Sequence, residues 1–137
     1  MQRPAATSGM HHVALNVSNL EACEAFYVDL LGMEVEWRPD TDNVYLCSGS
    51  DNLALHRVPK DQRGSGPQRL DHIGFILKKP ELVDDWYSFL NSHEVKMKTR
   101  PRTHRDGARS FYCEDPEGNT VQMIYHPPLE HLYGERT

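Results

Sequence analysis

The chain repeats itself. Sixty residues separate His12-Val13-Ala14-Leu15-Asn16-Val17 from His72-Ile73-Gly74-Phe75-Ile76-Leu77, and both segments alternate as half-buried strands do. Val13, Leu15 and Val17 form one bulky apolar face, as do Ile73, Phe75 and Leu77. The other face carries His12, Ala14 and Asn16, then His72, Gly74 and Ile76. A histidine followed two residues later by Ala or Gly leaves open space above the sheet. The pairing recurs, and it is the first sign of a cavity. The offset persists downstream, where Phe26, Leu30 and Val35 match Trp86, Leu90 and Val95.

A helix is expected after each of these strands. Ser18-Asn19-Leu20-Glu21 reads as a capping box, with Ser18 as the cap and Glu21 reaching back. Leu20, Cys23, Phe26, Tyr27, Leu30 and Leu31 follow at helical spacing up to Gly32. Pro80 and Glu81 open the second helix, whose apolar positions are Leu82, Val83, Trp86, Phe89 and Leu90, with Trp86 and Phe89 read as core. Strands are expected near Val44–Cys47 and Leu53–Val58, and again at Ser110–Cys113 and Val121–Tyr125. Turn clusters sit between the members of each pair, at 48–52 and 115–119. The offset has grown to about 68 there, which places an insertion in Lys98–Ala108. The pattern is α+β, two βαβββ modules in one domain at 10–126. Module 1 spans 10–60, a linker 61–69 and module 2 70–126, between a flexible leader at 1–9 and a tail at 127–137.

Composition narrows the partners. With 15 basic against 20 acidic residues and a net charge of -5, the chain lacks the broad positive surface of a nucleic-acid binder. No apolar run approaches the ~20 residues of a membrane span, and the first nine residues have no secretory apolar core. Cys23, Cys47 and Cys113 are odd in number and widely spaced, so reduced thiols and a cytoplasmic location are expected.

The segment Arg109-Ser110-Phe111-Tyr112-Cys113-Glu114-Asp115-Pro116-Glu117-Gly118-Asn119 resembles the run before the last strand of the vicinal oxygen chelate superfamily, which holds glyoxalases, bleomycin-resistance proteins and extradiol dioxygenases. Phe26-Tyr27 with Leu30-Leu31-Gly32-Met33 is similar to that family's first helix ending, and the likeness covers Met10 to His126. It implies a curved mixed sheet around a cleft, with helices on the outer face. It also implies metal ligands on the first and last strand of each module. Those positions are His12, His72 and Gln122, the last standing where the family normally has Glu. The fourth is Ala54, which coordinates nothing; His56 lies two residues further along that strand.

Two imidazoles and an amide suit Zn, Ni, Fe or Mn, but the missing carboxylate counts against ferrous ring cleavage. The resemblance therefore implies a metal-dependent enzyme, a glyoxalase-like lyase or isomerase or a dioxygenase, acting on a small oxygenated metabolite. No residue is assigned as its catalytic base. The alternative is a metal-free protein that binds or sequesters a small molecule, as bleomycin-resistance members do. A homodimer is expected in either case, with no nucleic-acid or membrane partner.

Substrate contacts are expected from His56, Trp37 and Tyr45, aromatics of the kind that line small-molecule sites. Lys96 to Arg109 carries six basic side chains and His104 against one acid, so His104, Arg105 and Arg109 are candidates to meet a carboxylate or phosphate. His11 falls on the opposite face from His12.

Overall fold

The computed structural model describes residues 2, 4–5, 12–67, 70–105 and 107–127. The expectations for most of the leader, for His11 and for nearly all of the tail fall outside the described residues. The chain divides into two compact units, residues 1–63 and 64–137, each built on a four-stranded sheet.

In the first unit, β1 (His12–Val17), β2 (Glu34–Asp40), β3 (Asn43–Cys47) and β4 (Asn52–Arg57) lie in the order β1-β4-β3-β2. The β1–β4 pair is parallel, with His12 against Asn52, Ala14 against Ala54 and Asn16 against His56. The other pairs are antiparallel. Leu15, Val17, Val44, Leu46, Leu53 and Leu55 are buried. They share that core with Leu20 and Cys23 of α1 (Leu20–Ala25) and with Phe26 and Tyr27 just beyond it.

Two features of this helix differ from expectation. Its cap is Asn19, whose Oδ1 accepts from Ala22 N at 3.0 Å, one residue later than the expected Ser18. From Phe26 to Leu30 the helix widens into a π turn, with Leu31 N donating to Phe26 O. The wider turn accompanies burial of both Phe26 and Tyr27, adjacent rings packed edge to face at 5.0 Å. α2 (Lys60–Arg63) is a single turn after β4.

The second unit repeats the topology. β5 (Ile73–Leu77), β6 (Arg102–Thr103), β7 (Arg109–Glu114) and β8 (Thr120–Tyr125) lie in the order β5-β8-β7-β6. The β5–β8 pair is parallel. The insertion reduces the counterpart of β2 to β6 and an isolated bridge between Met97 and Cys113. α3 (Pro80–Ser92) buries Val83 and Leu90 and sets Tyr87 edge-on to Phe111 at 5.4 Å. Phe89 is not core: it is exposed, beside Trp86 and His93 on a second row of the helix. That row is rotated away from the Val83–Tyr87–Leu90 stripe.

The turn at 115–119 is held by a buried carboxylate. Asp115 Oδ1 accepts from Glu117 N and Asn119 N, and Oδ2 from Asn119 Nδ2, all at 2.8–2.9 Å. The most specific motif in the sequence is therefore structural at this end.

The two main helices end by the same device with different residues. Gly32 takes the left-handed conformation after the first (φ +81°), and Glu94 takes it after α3 (φ +61°), where Val95 N returns to Leu90 O. A residue with a Cβ is strained there by about 1–2 kcal/mol. Glu94→Gly is therefore expected to raise stability by about 1 kcal/mol, read as a higher urea midpoint at unchanged slope. A lowered midpoint would contradict this reading of the turn.

Candidate functional site

In the first unit the face opposite the core carries His12, Ala14 and Asn16 from β1, Asn52, Ala54 and His56 from β4, and Asn43 and Tyr45 from β3. His12 Nδ1 lies 2.6 Å from Asn52 Oδ1, and Asn52 Nδ2 donates to Glu36 Oε2 at 3.2 Å. His56 is held in the same way. Its Nδ1 is 2.5 Å from Asn43 Oδ1, and Asn43 Nδ2 donates to Asp40. In both chains the asparagine's amide nitrogen faces a carboxylate, which only accepts. Its oxygen then faces the ring, so Nδ1 carries the proton and Nε2 keeps a lone pair in the neutral imidazole. Trp37 stacks on Tyr45 (5.2 Å, 22°), and Tyr45 meets the His56 ring edge-on at 6.0 Å.

His56 and His12 do not meet. Their partners on the β1–β4 ladder are four residues apart, roughly 13 Å at the ~3.3 Å rise of a strand. Trp37, Tyr45 and His56 thus form one group, and His12, Asn52 and Glu36 another.

The second unit gathers His72, Tyr112 and Gln122. Gln122 is opposite Gly74 on β5 and opposite Tyr112 on β7. Its Nε2 donates to Tyr112 Oη at 3.0 Å. Its Oε1 lies over Gly74, 3.3 Å from where a Cβ would stand. The glycine that looked like cavity floor in the sequence makes room for this amide. His72 precedes β5 and meets the Tyr112 ring edge-on at 5.4 Å. Its Nδ1 is 2.6 Å from Asp71 Oδ2, which again directs the proton to Nδ1 and the lone pair to Nε2. Among the described residues, no three His, Cys, Asp or Glu side chains gather as a metal cluster.

The basic stretch is divided in its contacts. Lys98 Nζ donates to Thr120 Oγ1 at 2.8 Å, and Lys96 lies 3.5 Å from Glu114. His104 Nε2 is 3.3 Å from Ser110 Oγ, and Arg105 is exposed in the same turn. Arg109 faces the helix side instead. It donates through Nε and Nη2 to Asp84 of α3, holding that carboxyl below its ordinary range.

Cys113 has the position of a buried structural thiol. Burial, with Asp115 and Glu114 adding, pushes it up to about 12, which leaves it protonated and poorly nucleophilic at neutral pH.

The model of the Glyoxalase/Bleomycin resistance protein/Dioxygenase superfamily matches residues 9–123. The chain belongs to this superfamily. The metallothiol transferase FosB of Staphylococcus haemolyticus is 29% identical over 116 residues, covering 84% of this chain and 81% of FosB. The FosB of Shouchella clausii is 25% identical over 116 residues, covering 85% and 79%. Among solved structures, a lactoylglutathione lyase from Agrobacterium tumefaciens superposes with a TM-score of 0.71 at 23% identity, over 94% of this chain and 98% of the lyase. A glyoxalase-related enzyme from Fulvimarina pelagi gives 0.72 at 16% identity, over 88% and 90%. These two show the fold: the α+β superfamily fold built from paired modules.

Membership leaves several residues unaccounted for that the geometry brings forward. Asn52, Asp71 and Tyr112 each touch a candidate residue, Glu36 touches Asn52 in turn, and none of the four was singled out from the sequence. Asn52 read as turn, while Tyr112 was only part of a motif. Tyr112→Phe removes the acceptor of the Gln122 amide and is expected to cost about 1 kcal/mol without unfolding the chain. The Gln122 side-chain amide protons should then shift toward solvent values in a ¹H–¹⁵N spectrum. An unmoved pair would contradict the Gln122–Tyr112 bond.

Proposed function

We propose that the chain is a metal-dependent enzyme acting on a small oxygenated metabolite, with His12, His72 and Gln122 as ligands of a divalent ion. One observation carries this reading: each of the three side chains is tied through one polar atom and leaves a second, ligating atom open. His12 and His72 spend Nδ1 on Asn52 and Asp71, and Gln122 spends Nε2 on Tyr112. The atoms left open are two imidazole Nε2 and one amide oxygen. Such outer partners are what orient ligands at metal centres.

Two nitrogens and a neutral oxygen fit Zn, Ni, Fe or Mn. They bring no negative charge, so the ion is held less tightly than by a carboxylate and retains more of its own charge. When bound, it supplies Lewis-acid polarisation of a substrate oxygen. The lack of a facial carboxylate weighs against dioxygenase chemistry. The likeness to FosB, a metallothiol transferase, supports addition of a thiol as the first reaction to test, with lyase or isomerase chemistry second. Tyr112 has a defined part: its oxygen accepts from Gln122, so its own proton is left to donate to a substrate oxygen. In this proposal, apolar and aromatic contact falls to Trp37, Tyr45 and His56, and contact with an anionic group to His104 and Arg105. Arg109 is left out, because Asp84 engages it on the helix side. A cytoplasmic homodimer completes the proposal. The described residues include no helix long and apolar enough to cross a membrane.

A second reading, metal-free binding of a small molecule, is favoured by Trp37. Its side chain stacks on Tyr45, yet the residue is 58% exposed, as an aromatic platform for a ligand would be.

Metal analysis of freshly purified protein separates the two. The enzyme reading expects close to one equivalent of a divalent metal, lost in His12→Ala and in His72→Ala. Gln122→Glu is expected to tighten binding at least about tenfold, because a carboxylate faces the dication. Unchanged affinity in that variant removes Gln122 from the ligand set. A wild-type chain that neither carries nor takes up metal belongs with the binders.

A further inference from the structure

We infer that Glu36 sets the tautomer of His12, acting through the side-chain amide of Asn52. The inference deepens the metal-centre reading and rests on it for the consequence at the ion, though not for the tautomer itself.

Strand alternation puts Glu36 and Trp37 on opposite faces of β2. The ladder breaks that rule. Val35 pairs with Leu46 and Trp37 with Tyr45, so two steps on β2 oppose one on β3, which is a β-bulge. Trp37 stacks on Tyr45, and Glu36, the extra residue, reaches Asn52 on the same face. A carboxylate is thereby delivered beside the His12 pair, in a module whose ligand position at residue 54 is an alanine.

What Glu36 does there follows from donor and acceptor counts. An asparagine amide offers an imidazole two choices: its oxygen can accept from N–H, or its nitrogen can donate to the lone pair. Asn52 alone would therefore leave the His12 tautomer open. Glu36 accepts only, and it takes the Nδ2 end at 3.2 Å. The oxygen is then left for the ring, at 2.6 Å from Nδ1, and the lone pair falls to Nε2. Asn52 is only 9% exposed, so water competes poorly for the amide. His56, Asn43 and Asp40 repeat the arrangement in the same unit. Glu36 itself sits on a strand exposed along its whole length, so it has no core role that its loss would disturb. It is a positioning residue.

The test uses the full metal-free chain, ¹⁵N-labelled, with the His12 ring neutral. In the wild type, long-range ¹H–¹⁵N correlations should show Nδ1 as the N–H nitrogen and Nε2 as the bare one. Glu36→Gln replaces an obligatory acceptor by a group that donates or accepts, so both His12 nitrogens should move toward averaged shifts. The double variant Glu36→Gln with Asn52→Asp puts an acceptor-only group directly on Nδ1 and should restore the wild-type shifts. Cobalt(II) titration should follow the same order, roughly 10–100-fold weaker in Glu36→Gln and recovered in the double variant. Unchanged His12 shifts in Glu36→Gln overturn the inference, as does a shift that the double variant fails to reverse. A tautomer change and rescue with constant cobalt affinity keeps the relay and overturns His12 as a ligand.

Discussion

Parallel pairing of the first strand with the last decides which side chains in each unit can cooperate. Side chains at paired positions share a face, so β5 and β8 bring Gly74 beside Gln122, and β1 and β4 bring His12 beside Asn52. The antiparallel neighbours then add Tyr112 in one unit and Tyr45 and Asn43 in the other. A slip of one residue in either parallel ladder would send these side chains into the core and bring Leu53 or Val121 out. The burial of Leu53, Leu55, Val121 and Met123 opposes that slip. The apolar face thus holds the register on which the polar face depends.

Within that register, the candidate ligands are neither loose nor self-sufficient. Each leans on a neighbour of a different kind: an amide for His12, a carboxylate for His72, a phenol for Gln122. These contacts cost little in stability to lose, since exposed or half-buried hydrogen bonds contribute about 1 kcal/mol. Their value lies in orientation. A side chain held by one polar atom presents the other without first giving up rotamer freedom.

Much of this was legible in the sequence. The repeat of sixty residues placed both first strands and both main helices, because binary alternation and helical spacing are local properties. The histidine–small-residue pairing marked the strand face opposite the core, though the space over Gly74 is taken by Gln122. What escaped was non-local or depended on a local irregularity. Glu36 was hidden because a bulge overturns alternation at that residue. The capping residue shifted from Ser18 to Asn19, a choice made by backbone geometry between two adjacent capping types. Phe89 was read as core because hydrophobicity does not tell which of two helix rows meets the sheet. Arg109 looked like part of a basic surface, and only the fold brings it to Asp84, twenty-five residues away.

X-ray absorption on the zinc-loaded chain tests the proposed ligand set most directly. Only nitrogen and oxygen scatterers are expected, with the nitrogens at about 2.0–2.1 Å and the outer-sphere scattering of two imidazole rings. A spectrum with no imidazole scattering, or with sulfur at about 2.3 Å, would contradict that set.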